Sequence, residues 1–221
     1  MRIAGGEWCG RTLKAPPGDA VRPTQDRVRG ALFSMIQAEI AGASFLDLFA
    51  GAGSVGLEAL SRGCARATFV ECNPRHAACL AANVSALNAG ARAEIVRADA
   101  FAWPAAGGRC RAFDVAFADP PYALVAERGY GPLLASLAES GTVRPGGIFI
   151  AEMATRQAAP EHPLWDLCRD RAYGQTRLAV YRRPPASLPS FAARDADAFS
   201  TRSPSVSLMV EVAERKRTLR K

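Results

Sequence analysis

Gly51-Ala52-Gly53-Ser54-Val55-Gly56 constrains this chain more than any other stretch. An apolar run over residues 44–49 precedes it and a helical pattern over 54–62 follows. The glycines therefore sit at a strand-to-helix turn. The same rhythm continues downstream. Strands over 67–71, 93–98, 113–118 and 147–152 alternate with helices over 75–87 and 130–139. Such alternation needs right-handed crossovers and gives an α/β fold with a mostly parallel sheet, helices on both faces. After Trp165 the rhythm changes. Residues 167–173 and 176–181 read as two strands joined at Gly174-Gln175, an antiparallel hairpin that closes the sheet.

The glycine loop matches GxGxxG between a strand and a helix, with Glu71 twenty residues beyond Gly51. That is the context of a dinucleotide fingerprint. Asp47 complicates a nicotinamide reading. It lies at the strand end before the glycines, in Leu46-Asp47-Leu48-Phe49-Ala50-Gly51, where a carboxylate repels a pyrophosphate seated on a helix N-terminus. The same carboxylate suits a cationic amino group. Glu71 ends the second strand and can accept bonds from both hydroxyls of a ribose. Asp99, in Ala98-Asp99-Ala100, ends the third strand and can accept from an adenine amine, although an acid there also serves as a helix N-cap. Acids at three successive strand ends suit S-adenosylmethionine, cationic at its methionine end, with Asp47, Phe49, Gly51, Gly53, Glu71, Asp99 and Ala100 as candidate contacts.

A fourth strand ends in Asp119-Pro120-Pro121-Tyr122. The two prolines remove backbone donors and fix two φ angles, which makes a stiff lip. The lip offers a carboxylate, a free backbone carbonyl and a flat ring to one planar group. The exocyclic amine of a nucleobase is a poor nucleophile, because its lone pair is delocalised. Two acceptors, the Asp119 carboxylate and the Pro120 carbonyl, can hold its two hydrogens, localise the lone pair and stabilise positive charge developing on nitrogen. Tyr122 can stack on the base, worth about 1–3 kcal/mol. Asp119, Pro120, Pro121 and Tyr122 are thus the candidate catalytic group, and these four residues fit adenine and guanine equally.

The 221 residues fit one domain, and at 49% hydrophobic they supply a sizeable core. The net charge of +7 suggests a polyanionic partner. Arg2, Arg11, Lys14, Arg22, Arg27 and Arg29 form the expected RNA footprint. Three of them stand in or near the first turn of a helix capped by Thr24, where acids are preferred, which hints at an external anion. The cysteines, Cys9, Cys64, Cys72, Cys79, Cys110 and Cys168, form neither a CxxC pair nor a Cys/His cluster of zinc spacing, so free thiols in a reducing cytoplasm and no metal are expected. No apolar run approaches the roughly 20 residues that span a bilayer, and no membrane partner is expected. Residues 184–205 are rich in Pro, Ser and Ala, and 214–221 are basic. Residues 184–221 read as a disordered tail. Residues 1–20 read as a hairpin extension on a core over 21–183.

The chain resembles the class I S-adenosylmethionine methyltransferases and, within them, the RsmD family of 16S ribosomal RNA guanine-N2 methyltransferases. The resemblance runs from Met1 to about Arg183. It rests on the segments 2–8, 10–14, 22–29, 45–58, 119–122 and 173–176, the first three of which set this family apart from other amino-methyltransferases. It implies a seven-stranded Rossmann-like sheet with its last strand antiparallel. It implies methylation of one guanine N2 in small-subunit ribosomal RNA, free or in a 30S assembly particle; a monomer in the cytoplasm is expected. Gly30 departs from the family, which usually carries an acid there, and residues 185–221 have no counterpart in it. Two rival enzymes share parts of the pattern: a DNA adenine-N6 methyltransferase, and a nicotinamide oxidoreductase for which neither His76 nor His162 is well placed as proton relay. A third rival is an RNA-binding assembly factor without catalysis.

Overall fold

The computed structural model describes residues 1–16, 23–106 and 112–185. Arg22, Cys110 and almost all of the expected tail lie outside the described residues. Seven strands form one sheet in the order β3-β2-β1-β4-β5-β7-β6. They are β1 Ser44–Leu48, β2 Arg66–Val70, β3 Ala93–Val96, β4 Phe113–Ala118, β5 Val143–Ala154, β6 Asp166–Tyr173 and β7 Thr176–Arg182. The first five run parallel, and β7 pairs antiparallel with both β5 and β6. The expected hairpin and antiparallel last strand are both present.

The helices are α1 Pro23–Met35, α2 Ser54–Ser61, α3 Pro74–Ala86, α4 Trp103–Ala106, α5 Tyr122–Arg128 and α6 Gly131–Glu139. Thr24 is not the cap of α1. The helix begins one residue earlier, at Pro23, whose fixed φ suits a first helical position. Asn73 caps α3 by accepting from Arg75 N at 2.9 Å, with Pro74 next in the chain. Helix α5 was not expected from periodicity. Pro121 precedes it, and Tyr122-Ala123-Leu124-Val125-Ala126-Glu127-Arg128 contains good helix formers, the available signal.

Alternation along the strands sends successive side chains to opposite faces. Phe45, Val115, Phe117, Ile148 and Ile150 pack beneath α1, α2 and α3 with Leu32, Phe33, Leu57 and Leu80. Leu46, Phe113, Ala116, Phe149 and Ala151 pack on the other face with Trp103, Leu133, Leu137 and Trp165. Both faces are covered, so the central strands read as continuous apolar runs.

The N-terminal segment carries the antiparallel bridge Arg2–Thr12 and is fastened to α2. Ile3, Trp8 and Leu13 are buried. Glu7 N donates to Ser61 O at 2.7 Å, and Trp8 N to Ser61 Oγ at 2.8 Å. Gly6, at φ 83°, is needed here, since a Cβ would come within 1.8 Å of Ser61 O.

Candidate active site

The C-terminal ends of β1 to β5 share one edge of the sheet, and strand order reverses between β1 and β4. Chain segments leaving the two strands diverge to opposite faces, opening a crevice where α/β sheets bind ligands. Phe49 at φ 61°, Gly51 at 56° and Gly53 at 82° turn the backbone from β1 into α2. A Cβ on Gly53 would lie 2.2 Å from Leu80 Cδ1, and one on Gly56 2.3 Å from the Phe69 ring. Gly53 brings the loop close to α3 and Gly56 brings α2 close to the sheet, while Gly51 faces open space within 4 Å. Phe49 is a non-glycine residue held left-handed, a cost of about 1–2 kcal/mol that tends to gather at ligand sites.

The three predicted acids sit around this loop. Asp47 is buried on the α2 side of the sheet, and its Oδ2 accepts from Gly56 N at 2.8 Å. Burial pushes its carboxyl up to about 8 against that bond, with Asp119 and Glu71 adding like charge. Glu71 accepts from Gly51 N at 2.8 Å and Asn73 N at 2.7 Å through different oxygens. Each oxygen keeps a lone pair for another donor. Asp99 Oδ1 accepts from Phe101 N at 2.8 Å, and its Oδ2 lies 3.5 Å from Arg128 Nη1. Ala100 is buried beside it. Phe49 meets Phe101 edge-on at 5.4 Å, and the Arg128 guanidinium lies 5.3 Å over the Phe101 ring. Helix α5 thus runs from the lip back to the third strand end. Arg128 at its close was not foreseen, because the helix was not.

The lip is the start of that helix. The Pro121 carbonyl accepts from Leu124 N and Val125 N. Among the described residues nothing donates to the Pro120 carbonyl or to the Asp119 carboxylate. Tyr122 is 44% exposed, the most exposed large aromatic among the described residues. Below the lip, the buried Tyr130 hydroxyl donates to the backbone carbonyls of Glu152 and Ala118, clamping the ends of β5 and β4 together.

Glu152 is a further acid that the sequence reading passed over. The β4–β5 register pairs Ala118 with Ala151, so Asp119 and Glu152 follow side by side. Both line one pocket with Arg29, Leu32, Ser54 and Val55. Burial raises both carboxyls, Asp119 to about 7 and Glu152 to about 8, the latter raised also by Asp119. The signal was present: Ile148, Ile150 and Glu152 alternate onto one face, and an acid continuing such a stripe at a strand end is out of place in a core.

The basic footprint divides. Arg2, Arg11, Lys14 and Arg27 are exposed. Arg29 is not, at 5% exposure, and the expectation that it meets RNA is corrected. Its Nε donates to Glu58 Oε2 at 2.6 Å and its Nη2 to the Arg2 carbonyl, with Asp26 Oδ1 at 3.0 Å. The anion that this arginine answers is internal. Glu58 is fully buried in α2 and also pairs with Arg62 Nη2 at 2.7 Å. A fully buried acid requires such partners, and Glu58, between Leu57 and Ala59, was the overlooked signal.

Cys9, Cys64, Cys72, Cys79 and Cys168 are free thiols. Among the described residues no helix is long and apolar enough to cross a membrane, and no group of three His, Cys, Asp or Glu residues could hold a metal ion.

Comparison with known proteins agrees with this architecture. The family model described as Conserved hypothetical protein 95 matches residues 1–182. Ribosomal RNA small subunit methyltransferase D of Escherichia coli K12 is 36% identical over 185 residues, 83% of this chain and 90% of that protein. The putative rRNA methyltransferase YlbH of Bacillus subtilis is also 36% identical, over 83% of this chain and 99% of its own. The solved structure of the putative methyltransferase yhhF from Escherichia coli superposes with a TM-score of 0.71 at 34% identity, covering 84% of this chain and 98% of that one. Over residues 1–182 the chain therefore belongs to the RsmD family of class I, Rossmann-like methyltransferases.

Proposed function

We propose that this protein transfers a methyl group from S-adenosylmethionine to the exocyclic N2 amine of one guanine in small-subunit ribosomal RNA. The observation that carries the reading is the Asp119 carboxylate beside the Pro120 carbonyl. Both lack donors among the described residues, and both lie at the strand end next to the acid-ringed glycine loop. Its relatives are named for ribosomal RNA methylation.

The donor set fits the cofactor. Asp47, Glu71 and Asp119 raise the charge density of one small region, and no lysine or arginine among the described residues forms an ion pair with them. A cationic methionine end relieves that repulsion. Glu71 has lone pairs left for ribose hydroxyls, and Asp99, half-exposed with Arg128 Nη1 3.5 Å from its Oδ2, keeps lone pairs for an adenine amine. Gly51 and Gly53 let the backbone approach, and the buried Ala100 floors the same strand end. When bound, the cofactor supplies an electrophilic sulfonium methyl. The protein's part is to aim the acceptor at it. Asp119 and the Pro120 carbonyl hold the two amine hydrogens, Pro121 keeps the lip rigid, and Tyr122 stacks on the base. Asp119 also stabilises positive charge appearing on nitrogen during transfer. No strong base is required, since the methylated nitrogen is acidic until it loses its proton.

Arg2, Arg11, Lys14 and Arg27, with Arg22 of the sequence footprint, hold RNA phosphates on the N-terminal side. The protein acts in the cytoplasm as a monomer on RNA or on a 30S assembly particle. Its methyltransferase domain is residues 1–183, and 184–221 are a dispensable tail. Mapping methylated guanines in small-subunit RNA from cells with and without the protein tests the reading. Loss of one N2-methylguanine supports it. An unchanged RNA, with transfer to adenine in duplex DNA, overturns it.

A further inference from the structure

The four lip residues fit adenine as well as guanine. We propose that Glu152 is the residue that selects guanine, its carboxylate accepting from the base N1–H while Asp119 and the Pro120 carbonyl hold the N2 amine. This inference rests on the guanine-N2 reading above and deepens it.

The geometry begins with register. Ala118 on β4 pairs with Ala151 on β5, so Asp119 and Glu152 follow at the same level, about 4.8 Å apart across parallel strands. Alternation sends both to the face carrying Val115, Phe117, Ile148 and Ile150, under α1 and α2. The pocket they share is also lined by Leu32, Ser54 and Val55. Tyr130 fixes the two backbones through their carbonyls. No hydrogen-bond donor among the described residues reaches either carboxylate.

Two adjacent acceptors without donors call for a ligand edge made of adjacent donors. The Watson–Crick edge of guanine presents N1–H directly beside N2–H2. Adenine presents a bare N1 beside its amine, and its lone pair would face the Glu152 carboxylate. The second carboxylate thereby distinguishes what the first cannot. A site built to accept from an N–H rejects the analogue lacking it, because the buried acceptor is left unpaired. The neighbours are consistent with an acceptor role. Arg29, the one cation lining the pocket among the described residues, is committed to Glu58 and the Arg2 carbonyl.

The test uses RNA spanning the mapped nucleotide, or particles reconstituted with it, carrying either guanine or 2-aminopurine at the target. 2-Aminopurine keeps the N2 amine and lacks N1–H. Single-turnover transfer is measured at about pH 8.5, where both carboxyls are mostly ionised and Glu152 accepts rather than donates, for the full-length wild type, Glu152→Ala and Glu152→Gln, with S-adenosylhomocysteine affinity as the check on folding. The wild type is expected to prefer guanine by at least roughly 10²-fold. Glu152→Ala should shrink that preference severalfold or more through lost guanine transfer. Glu152→Gln, whose amide either accepts or donates, should keep more guanine transfer than Ala and take 2-aminopurine better than the wild type. Any intrinsic difference in amine reactivity is common to all three proteins and cancels in the ratio. A preference unchanged by Glu152→Ala overturns the assignment while leaving guanine methylation intact. A wild type that transfers no methyl to the guanine RNA overturns the underlying reading instead.

Discussion

The acids at the sheet edge fall into two groups. On the β1–β2–β3 side, Asp47, Glu71 and Asp99 each accept a backbone N–H, from Gly56, from Gly51 and Asn73, and from Phe101. On the β4–β5 side, Asp119 and Glu152 accept none among the described residues, and burial raises both. The first group shapes its own loops and offers what lone pairs remain. The second is set side by side by strand register, half-buried and without a protein donor among the described residues, so its lone pairs are open to a ligand. Equal residue types thus do different work because of what their backbones donate. A binding half tolerates ligand exchange with its loops in place, and a reacting half keeps its interactions for the transition state.

The largest expected effect breaks the two halves apart. Asp119→Ala should lower kcat by about 10²–10³-fold or more while leaving S-adenosylhomocysteine affinity within a few fold. Glu71→Ala should do the reverse, weakening cofactor affinity first, since it removes the ribose acceptor and frees Gly51 N. Calorimetric titration beside single-turnover methylation separates them. If Asp119→Ala loses cofactor affinity as badly as Glu71→Ala, the division between halves is wrong.

Next in size is a contrast between two arginines two residues apart on α1. Arg29→Ala leaves Glu58 buried with Arg62 as its remaining cation and should cost about 3 kcal/mol of stability. Arg27→Ala, exposed, should leave stability within about 0.5 kcal/mol. Urea unfolding of the two variants measures the difference. Equal destabilisation would mean that the Arg29–Glu58 pair contributes nothing particular.

These residues also mark what the sequence made legible. The fold was legible because its signals are repetitive: buried strands, glycine turns and capped helices recur at βαβ spacing, and six of the seven strands agree within a few residues. Strand β5 starts four residues before and ends two residues after the expected 147–152, its start being irregular where the pairing with β4 shifts register between Val143 and Ile148. Asp47, Glu71, Asp99 and Asp119 could be found because each ends a strand beside a recognisable turn. Glu152 and Glu58 could not be found that way. Glu152 ends the expected strand with no recognisable turn beside it, and Glu58 lies inside a helix; the meaning of each depends on which residue stands opposite, Asp119 in one case and Arg29 in the other. Single-chain patterns report periodicity and punctuation. They do not report which distant side chain shares a pocket.

The third effect is a pH dependence to which Asp119 and Glu152 of the reacting half contribute together with Asp47, whose carboxyl burial also raises to about 8. Asp119 and Glu152 have folded values of about 7 and 8, above their ordinary values of 3.8 and 4.5. Between roughly pH 4 and pH 8 the folded state therefore binds more protons than the unfolded state, and the stability these groups contribute falls as pH rises. The groups facing the pair are Arg29 on α1, Asp47 on β1, Tyr122 on α5 and Tyr130 at the start of α6. Activity runs the other way, because only the ionised carboxylates accept from the amine. kcat/KM should rise through about pH 7–8 while the thermal midpoint falls, and Asp119→Asn should flatten part of the stability slope. Scanning calorimetry at several pH values, with wild type and variant side by side, reads this directly. A slope unaltered in the variant would remove the unsatisfied pair as its cause.

The smallest effect concerns the exposed basic residues. If Arg2, Arg11, Lys14 and Arg27 meet phosphates, each loss should reduce the slope of log affinity against log salt by about one unit, with kcat at saturating RNA unchanged. Arg11 is the most informative of the four, because its Nη2 already donates to the Ala86 carbonyl at 2.7 Å. Held that way, it reaches phosphate at lower entropic cost than a free side chain. Arg11→Lys keeps the charge but loses the fixed fork. It should therefore weaken binding at every salt concentration without changing the slope, whereas Arg11→Ala changes both. Identical behaviour of the two variants would mean that Arg11 acts only as a charge, and that the footprint has no geometry built into the N-terminal segment.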